Sequence, residues 1–179
     1  MEKPTHQLVP FLSEETISNR VQEMAQELSE KFRDQTPILI GILNGSFIFA
    51  ADLIRAMDIN CEVDFIKLSS YSGVRSTGTV RLLKDISAAI TNRHVIIVED
   101  IIDSGLTIKF IRDRMLEAGP ASVTIVTLLV KWDIAEVDFP IDWVGFEIPP
   151  EFVVGYGLDY EQKFRNLKGI YRLEGMTSE

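Results

Sequence analysis

The sequence predicts an α/β domain in which a mostly parallel central sheet is flanked by helices. Three observations carry this expectation. Apolar, β-branched runs recur at residues 37–43, 95–98 and 122–131, the composition of strands covered on both faces. Stretches with apolar residues every three or four positions lie between them, as crossover helices require. Small-residue turns, among them Asn44-Gly45-Ser46 and Asp103-Ser104-Gly105, stand where strands should hand over to helices.

The elements follow in order. Ser13-Glu14-Glu15 opens a helix whose inner face is Ile17, Val21, Met24, Leu28 and Phe32, behind a cap-forming serine. Residues 37–43 form the first buried strand, and residues 47–57 an apolar helix. Residues 61–68 alternate in part and give another strand. Residues 69–79 are rich in Ser, Gly and Thr, so a mobile loop is expected there. A short strand over 79–84, suited to antiparallel pairing, comes next. His94 begins the central strand, which should end as the acids Glu99 and Asp100 appear. A helix over 108–117, the strand 122–131 and a strand over 142–147 follow. Pro149-Pro150 stops the last, and a glycine-broken, aromatic tail begins. Tyr156 reads as a core ring, whereas Phe152 is suited either to packing or to stacking on a flat heterocycle. No repeat, low-complexity tract or linker interrupts the 179 residues.

Composition removes several classes of function. A net charge of −9 without a basic cluster argues against a nucleic-acid partner. No apolar stretch reaches membrane-spanning length, and the first ten residues lack a signal-peptide core, so the cytoplasm is the expected compartment. Cys61 is the single cysteine, and His6 and His94 are the two histidines. A disulfide framework and a Cys/His metal site are therefore excluded. His6 belongs to a terminal arm expected to be loose.

The most informative string is Val98-Glu99-Asp100-Ile101-Ile102-Asp103-Ser104-Gly105-Leu106-Thr107. Ligands of open α/β sheets bind beyond the carboxyl ends of the strands, where these acids fall. The turn offers backbone N–H groups at a helix start, which suits a phosphate. Carboxylates for hydroxyls or a metal, beside amides for a phosphate, point to a phosphorylated sugar. Each feature alone also reads as an ordinary turn or helix cap; the ordered string is the signal. There is no Gly-x-x-x-x-Gly-Lys-Ser/Thr loop, no Gly-x-Gly-x-x-Gly after a strand, and no Gly-x-Ser-x-Gly elbow.

This string resembles the 5-phosphoribosyl 1-diphosphate (PRPP) signature of the type I phosphoribosyltransferases. The resemblance extends to Leu43-Asn44-Gly45-Ser46, Ser70-Tyr71, Leu128-Leu129-Val130-Lys131, Val144-Gly145-Phe146-Glu147-Ile148-Pro149 and Phe152-Val153-Val154-Gly155-Tyr156-Gly157-Leu158-Asp159-Tyr160. Over about residues 10–173 the chain is similar to the hypoxanthine-guanine branch of that family. The PRPP string identifies only the superfamily; Lys131 with the Phe152-to-Asp159 segment singles out the 6-oxopurine branch.

The resemblance implies one phosphoribosyltransferase domain over 1–179, with a lid at about 69–79. A hood would come from the N-terminal residues and about 145–173. It also implies transfer of phosphoribose from PRPP to a purine base, releasing pyrophosphate. Glu99 and Asp100 would hold the ribose hydroxyls, directly or through Mg²⁺. Asp103, Ser104, Gly105, Leu106 and Thr107 would cradle the 5′-phosphate. Asp103 would also accept the N7 proton of the base, and Lys131 would donate to O6. Phe152 would stack on the ring and the Val153 backbone would read its edge, with Asp159 nearby. Asn44, Gly45 and Arg165 would face pyrophosphate, and Glu99, Asp100 and Asp159 are the implied metal ligands. Ser70 and Tyr71 would sit at the hinge of the lid. In the family the turn before Gly45 often bears a basic residue and a cis peptide; Asn44 supplies no charge, and the sequence does not reveal whether Asn44-Gly45 is cis. The implied partners are PRPP and a 6-oxopurine, with no membrane and a homodimer or homotetramer as the assembly. Hypoxanthine and guanine are the expected bases. A xanthine-preferring enzyme and a PRPP-sensing regulator of the same fold are the alternatives.

Overall fold

The computed structural model describes residues 7–70 and 80–175. The elements run β1 (Gln7–Leu12), α1 (Glu14–Lys31), β2 (Ile38–Leu43), α2 (Phe47–Ala56), β3 (Glu62–Ser70) and β4 (Val80–Lys84). Then come β5 (His94–Ile102), α3 (Leu106–Glu117), β6 (Ser122–Val130), β7 (Trp143–Glu147), β8 (Val153–Val154) and β9 (Ile170–Glu174). Six strands form the main sheet in the order β4-β3-β2-β5-β6-β7. All its pairings are parallel except β3 with β4, at the edge. A second sheet, β1-β9-β8, is antiparallel throughout.

Alternation along the buried strands divides the core in two. Leu39, Ile96 and Val98 face α1 and α2, and that layer continues into Val153, Tyr156, Leu158 and Ile170 beside the small sheet. Ile38, Ile40, Val95 and Ile97 face the other way, onto Ile108, Ile111 and Met115 of α3. Helix α1 starts as its sequence dictates: the Ser13 hydroxyl accepts from the Thr16 N–H at 3.1 Å. The same helix secures the edge strand β7. Arg20 donates to the carbonyls of Val144 and Gly145, and Trp143 Nε1 donates to Glu27.

Three expectations need correction. The central strand does not end at the acids but pairs with β6 through Ile102, so Glu99 and Asp100 lie within β5. Ser69 and Ser70 extend β3 by pairing with Arg81 and Val80 rather than opening a loop. The remainder of the expected lid, with Tyr71, lies outside the described residues, as does His6. Finally, Gln7–Leu12 and Ile170–Glu174 are strands for which the residue pattern gave no strand; each finds its partner at the far end of the chain.

One polar cluster ties β3 to the segment following β4. The Asp64 carboxylate accepts from the N–H groups of Phe65 (2.7 Å), Ser87 (2.5 Å) and Ala88 (2.9 Å), and Lys84 lies 3.3 Å away. Burial raises this carboxyl, but the donors outweigh it and hold it at about 2. A depressed folded-state pKa means that the contribution is full above about pH 4 and lost as pH falls towards 2. Replacing Asp64 by Asn should lower unfolding free energy by roughly 1–2 kcal/mol near pH 7. Urea titrations of both proteins should show that gap closing near pH 3; a gap indifferent to pH would contradict the assignment.

Candidate active site

The carboxyl ends of β2, β3, β5 and β6 open onto a cleft of about 680 Å³, roofed by Phe152, Val153, Leu158, Asp159, Gln162 and Arg165. A smaller cavity of about 220 Å³ adjoins it at the start of α3. The two share Gly45, Asp100 and Asp103 among their walls.

The loop before α3 has the form of an anion cradle. Gly105 is the helix N-cap at φ +90°, in left-handed backbone, and no side chain caps the helix. Asp103 is thus not a helix cap; its carboxylate lines the cleft beside the Lys131 ammonium. Among the described residues the first-turn amides have as their side-chain contact only a marginal 3.5 Å approach of the Leu106 N–H to the Ser104 hydroxyl. Ser104, Gly105 and Thr107 line the smaller cavity, and the open amides of a helix start attract anions there. The loop is clamped from behind. Glu136 N–H donates to the Ser104 carbonyl at 3.0 Å, and a Cβ on Gly105 would lie 2.7 Å from Val137.

Glu99 and Asp100 are 5% and 9% exposed. Alternation places them on opposite faces of β5. Glu99 lines only the cavity beside α3, whereas Asp100 also lines the larger cleft. Burial, reinforced by the neighbouring Asp100 charge, pushes the Glu99 carboxyl well above the usual carboxylate range. Burial raises Asp100 as well, against the opposing pull of hydrogen bonds and of Arg165. Among the described residues no group of three or more Asp, Glu, His or Cys is arranged to hold a metal ion. Two adjacent buried carboxylates could instead share a divalent cation that takes most of its ligands from a bound substrate.

The remaining expected residues gather around the larger cleft. Lys131 is 7% exposed, and its ammonium lies 3.3 Å from Asp103. Its backbone N–H donates to the Ile102 carbonyl, joining the end of β6 to the end of β5. Phe152 is 41% exposed and meets the Tyr160 ring edge-on, 5.8 Å between centroids. Val153 is buried on the small sheet. Asp159 pairs with Arg165 at 2.8 Å, and Arg165 also donates to the Gly157 carbonyl. Asn44 and Gly45 form the turn after β2. The cis bond there is Leu43–Asn44, one peptide before the Asn44-Gly45 bond under consideration. A Cβ on Gly45 would collide with the Asp100 carboxylate, so only glycine allows this approach. Tyr156 is a core ring as expected, with its hydroxyl donating to Asp52 at 2.7 Å.

Sequence reading missed Lys67, Leu68, Leu83 and Gln162, all on the cleft wall, and had Ser69 only as the start of the lid. Lys67 had a signal: it is a cation near the carboxyl end of a strand in a parallel sheet.

Because the folded-state pKa of Glu99 is raised, its ionised form costs stability above that pKa, and the cost vanishes as acid protonates it. Glu99→Gln should therefore raise the Tm of the free protein near pH 7.5 by about 2–4 °C, roughly 1 kcal/mol for a chain of this size. Calorimetry should show the gain shrinking towards pH 4.5; a lower Tm at neutral pH would contradict the charge crowding.

Comparisons with known proteins agree with this geometry. Residues 12–161 match the family described as "Phosphoribosyl transferase domain". The hypoxanthine phosphoribosyltransferase of Haemophilus influenzae is 42% identical over 166 residues, covering 90% of this chain and 93% of the relative. A solved hypoxanthine-guanine phosphoribosyltransferase of Bacillus anthracis is 42% identical, with a TM-score of 0.87 over 94% of this chain and 99% of that one. The hypoxanthine phosphoribosyltransferase of Trypanosoma cruzi, solved with its product IMP, is 37% identical, with a TM-score of 0.86 over 97% of each chain. A parallel sheet, a capless glycine turn beside paired acids and these likenesses have one conclusion: the chain belongs to the phosphoribosyltransferase family.

Proposed function

We propose that the chain serves purine salvage, moving the 5-phosphoribosyl group of PRPP to N9 of hypoxanthine or guanine and releasing IMP or GMP with pyrophosphate. The observation that carries this reading is the Asp103–Lys131 pair, 3.3 Å apart, between the anion cradle and the exposed ring of Phe152. N7 and O6 of a 6-oxopurine lie along one edge of the ring system. A carboxylate beside an ammonium therefore offers an acceptor to N7–H and a donor to O6 at once. Adenine would instead present its amino group to the ammonium, donor against donor, at the cost of the O6 hydrogen bond.

In the proposed reaction the N9–C1′ bond forms as the bond from C1′ to the diphosphate oxygen breaks. Positive charge develops on the sugar, where the acidic floor of Glu99 and Asp100 stabilises it. Asp103 takes the N7 proton, which keeps the N9 electron pair available. Amides of residues 104–107 fix the 5′-phosphate, with the Ser104 and Thr107 hydroxyls alongside. Phe152 stacks on the base, and the Val153 backbone reads its far edge. Asn44, Gly45 and Arg165 face the leaving pyrophosphate. Mg²⁺ would be held by Glu99 and Asp100, with Asp159 on the pyrophosphate side, and would supply charge neutralisation to the donor substrate.

Turnover assays with PRPP, Mg²⁺ and four bases in parallel test the proposal. Hypoxanthine should be converted to IMP and adenine left unused. Absence of turnover with every 6-oxopurine overturns the reading, and a clear lead for xanthine would redirect its base specificity. Asp103→Asn should lower kcat by about a hundredfold while leaving the KM for PRPP near its original value. Lys131→Ala should raise the KM for hypoxanthine by about tenfold or more without changing that for PRPP.

A further inference from the structure

We propose that Lys67 is the cation that binds the diphosphate leaving group, in place of the charge that Asn44 does not provide. The proposal rests on the reading above and adds a residue to which no role has been given. Lys67 pairs in parallel register with Leu43, the residue immediately before Asn44. By strand alternation it shares a face with Phe65, whose ring lies against Gly41 on the layer continuous with the small sheet. That face is the one on which Asp100 opens into the larger cleft, and Lys67 lines the cleft together with Asn44, Gly45, Asp100 and Arg165.

Charge pairing distinguishes Lys67 from the other cations of the cleft wall. Lys131 is engaged by Asp103, and Arg165 by Asp159. Lys84, opposite Lys67 in the pairing of β3 with β4, turns to Asp64. Among the described residues Lys67 alone lines the cleft as a cation without an ion pair, and it is half-buried. A diphosphate must enter a site whose floor already carries Glu99, Asp100, Asp103 and Asp159. An uncommitted ammonium next to the Asn44–Gly45 turn relieves that repulsion without breaking an existing pair. The turn can then supply backbone amides while the neighbouring strand supplies the charge.

The test compares wild type with Lys67→Met, Lys67→Arg and the double variant Lys67→Met/Asn44→Lys. Calorimetric binding of inorganic pyrophosphate with Mg²⁺ is measured beside binding of IMP, which carries no diphosphate. Lys67→Met should weaken pyrophosphate at least tenfold and raise the KM for PRPP, with IMP affinity unchanged. Lys67→Arg should retain most of the affinity, and Asn44→Lys in the double variant should restore it. Pyrophosphate affinity within twofold of wild type in Lys67→Met overturns the proposal. So does a parallel loss of IMP affinity, which would mark a structural role. Turnover by the wild type is read separately: its absence counts against the phosphoribosyl-transfer reading, whereas the pyrophosphate series decides Lys67.

Discussion

The site hangs from the parallel pairing of β5 with its neighbours β2 and β6. Ile38 is level with Val95, and Val95 with Val123. With that register set by isoleucines and valines that have no alternative burial, three chain segments end together at one edge of the sheet. The turn at Asn44, the acids of β5 with the loop after them, and Lys131 are brought side by side by the hydrophobic layers beneath. A slip of one residue in β5 would exchange Glu99 and Asp100 between faces and carry Val95 and Ile97 to the wrong core.

The same arrangement places charge where folding alone would not. Glu99 and Asp100 are pressed together within a strand whose neighbours are apolar, and both carboxyls are raised by burial. Such crowding costs stability in the free protein. Gly45 fits against Asp100 only because it lacks a Cβ, and Gly157 of the roof closes on the Gly45 carbonyl in the same way. The floor, the turn and the roof are therefore one packed unit, and the acids are presented to the cleft at fixed positions.

Most of this was legible in the chain itself, for physical reasons. The string from Val98 to Thr107 joins a buried strand to a glycine turn and a helix start, all local features with local signatures. The α1 cap at Ser13 and the apolar faces of α1 and α2 were equally readable. Strands β1 and β9 were not, because their pairing joins the two ends of the chain. Pro10 and a register irregularity further blur the alternation of β1. The extension of β5 through Ile102 was hidden because Glu99 and Asp100 look like turn residues until β6 is seen beside them. Asp103 could be separated from a helix cap only by the backbone, which places the cap at Gly105. Lys67 escaped notice because its place on the cleft depends on parallel register with Leu43, a relation between distant segments.

The most direct test of the central claim is a crystal structure of the chain with IMP. The account requires the 5′-phosphate within about 2.7–3.2 Å of backbone N–H groups between Ser104 and Thr107. It also requires the ribose hydroxyls over the Glu99–Asp100 floor and O6 of the base on Lys131. A phosphate held elsewhere, or a purine whose opposite edge meets Lys131, would contradict it.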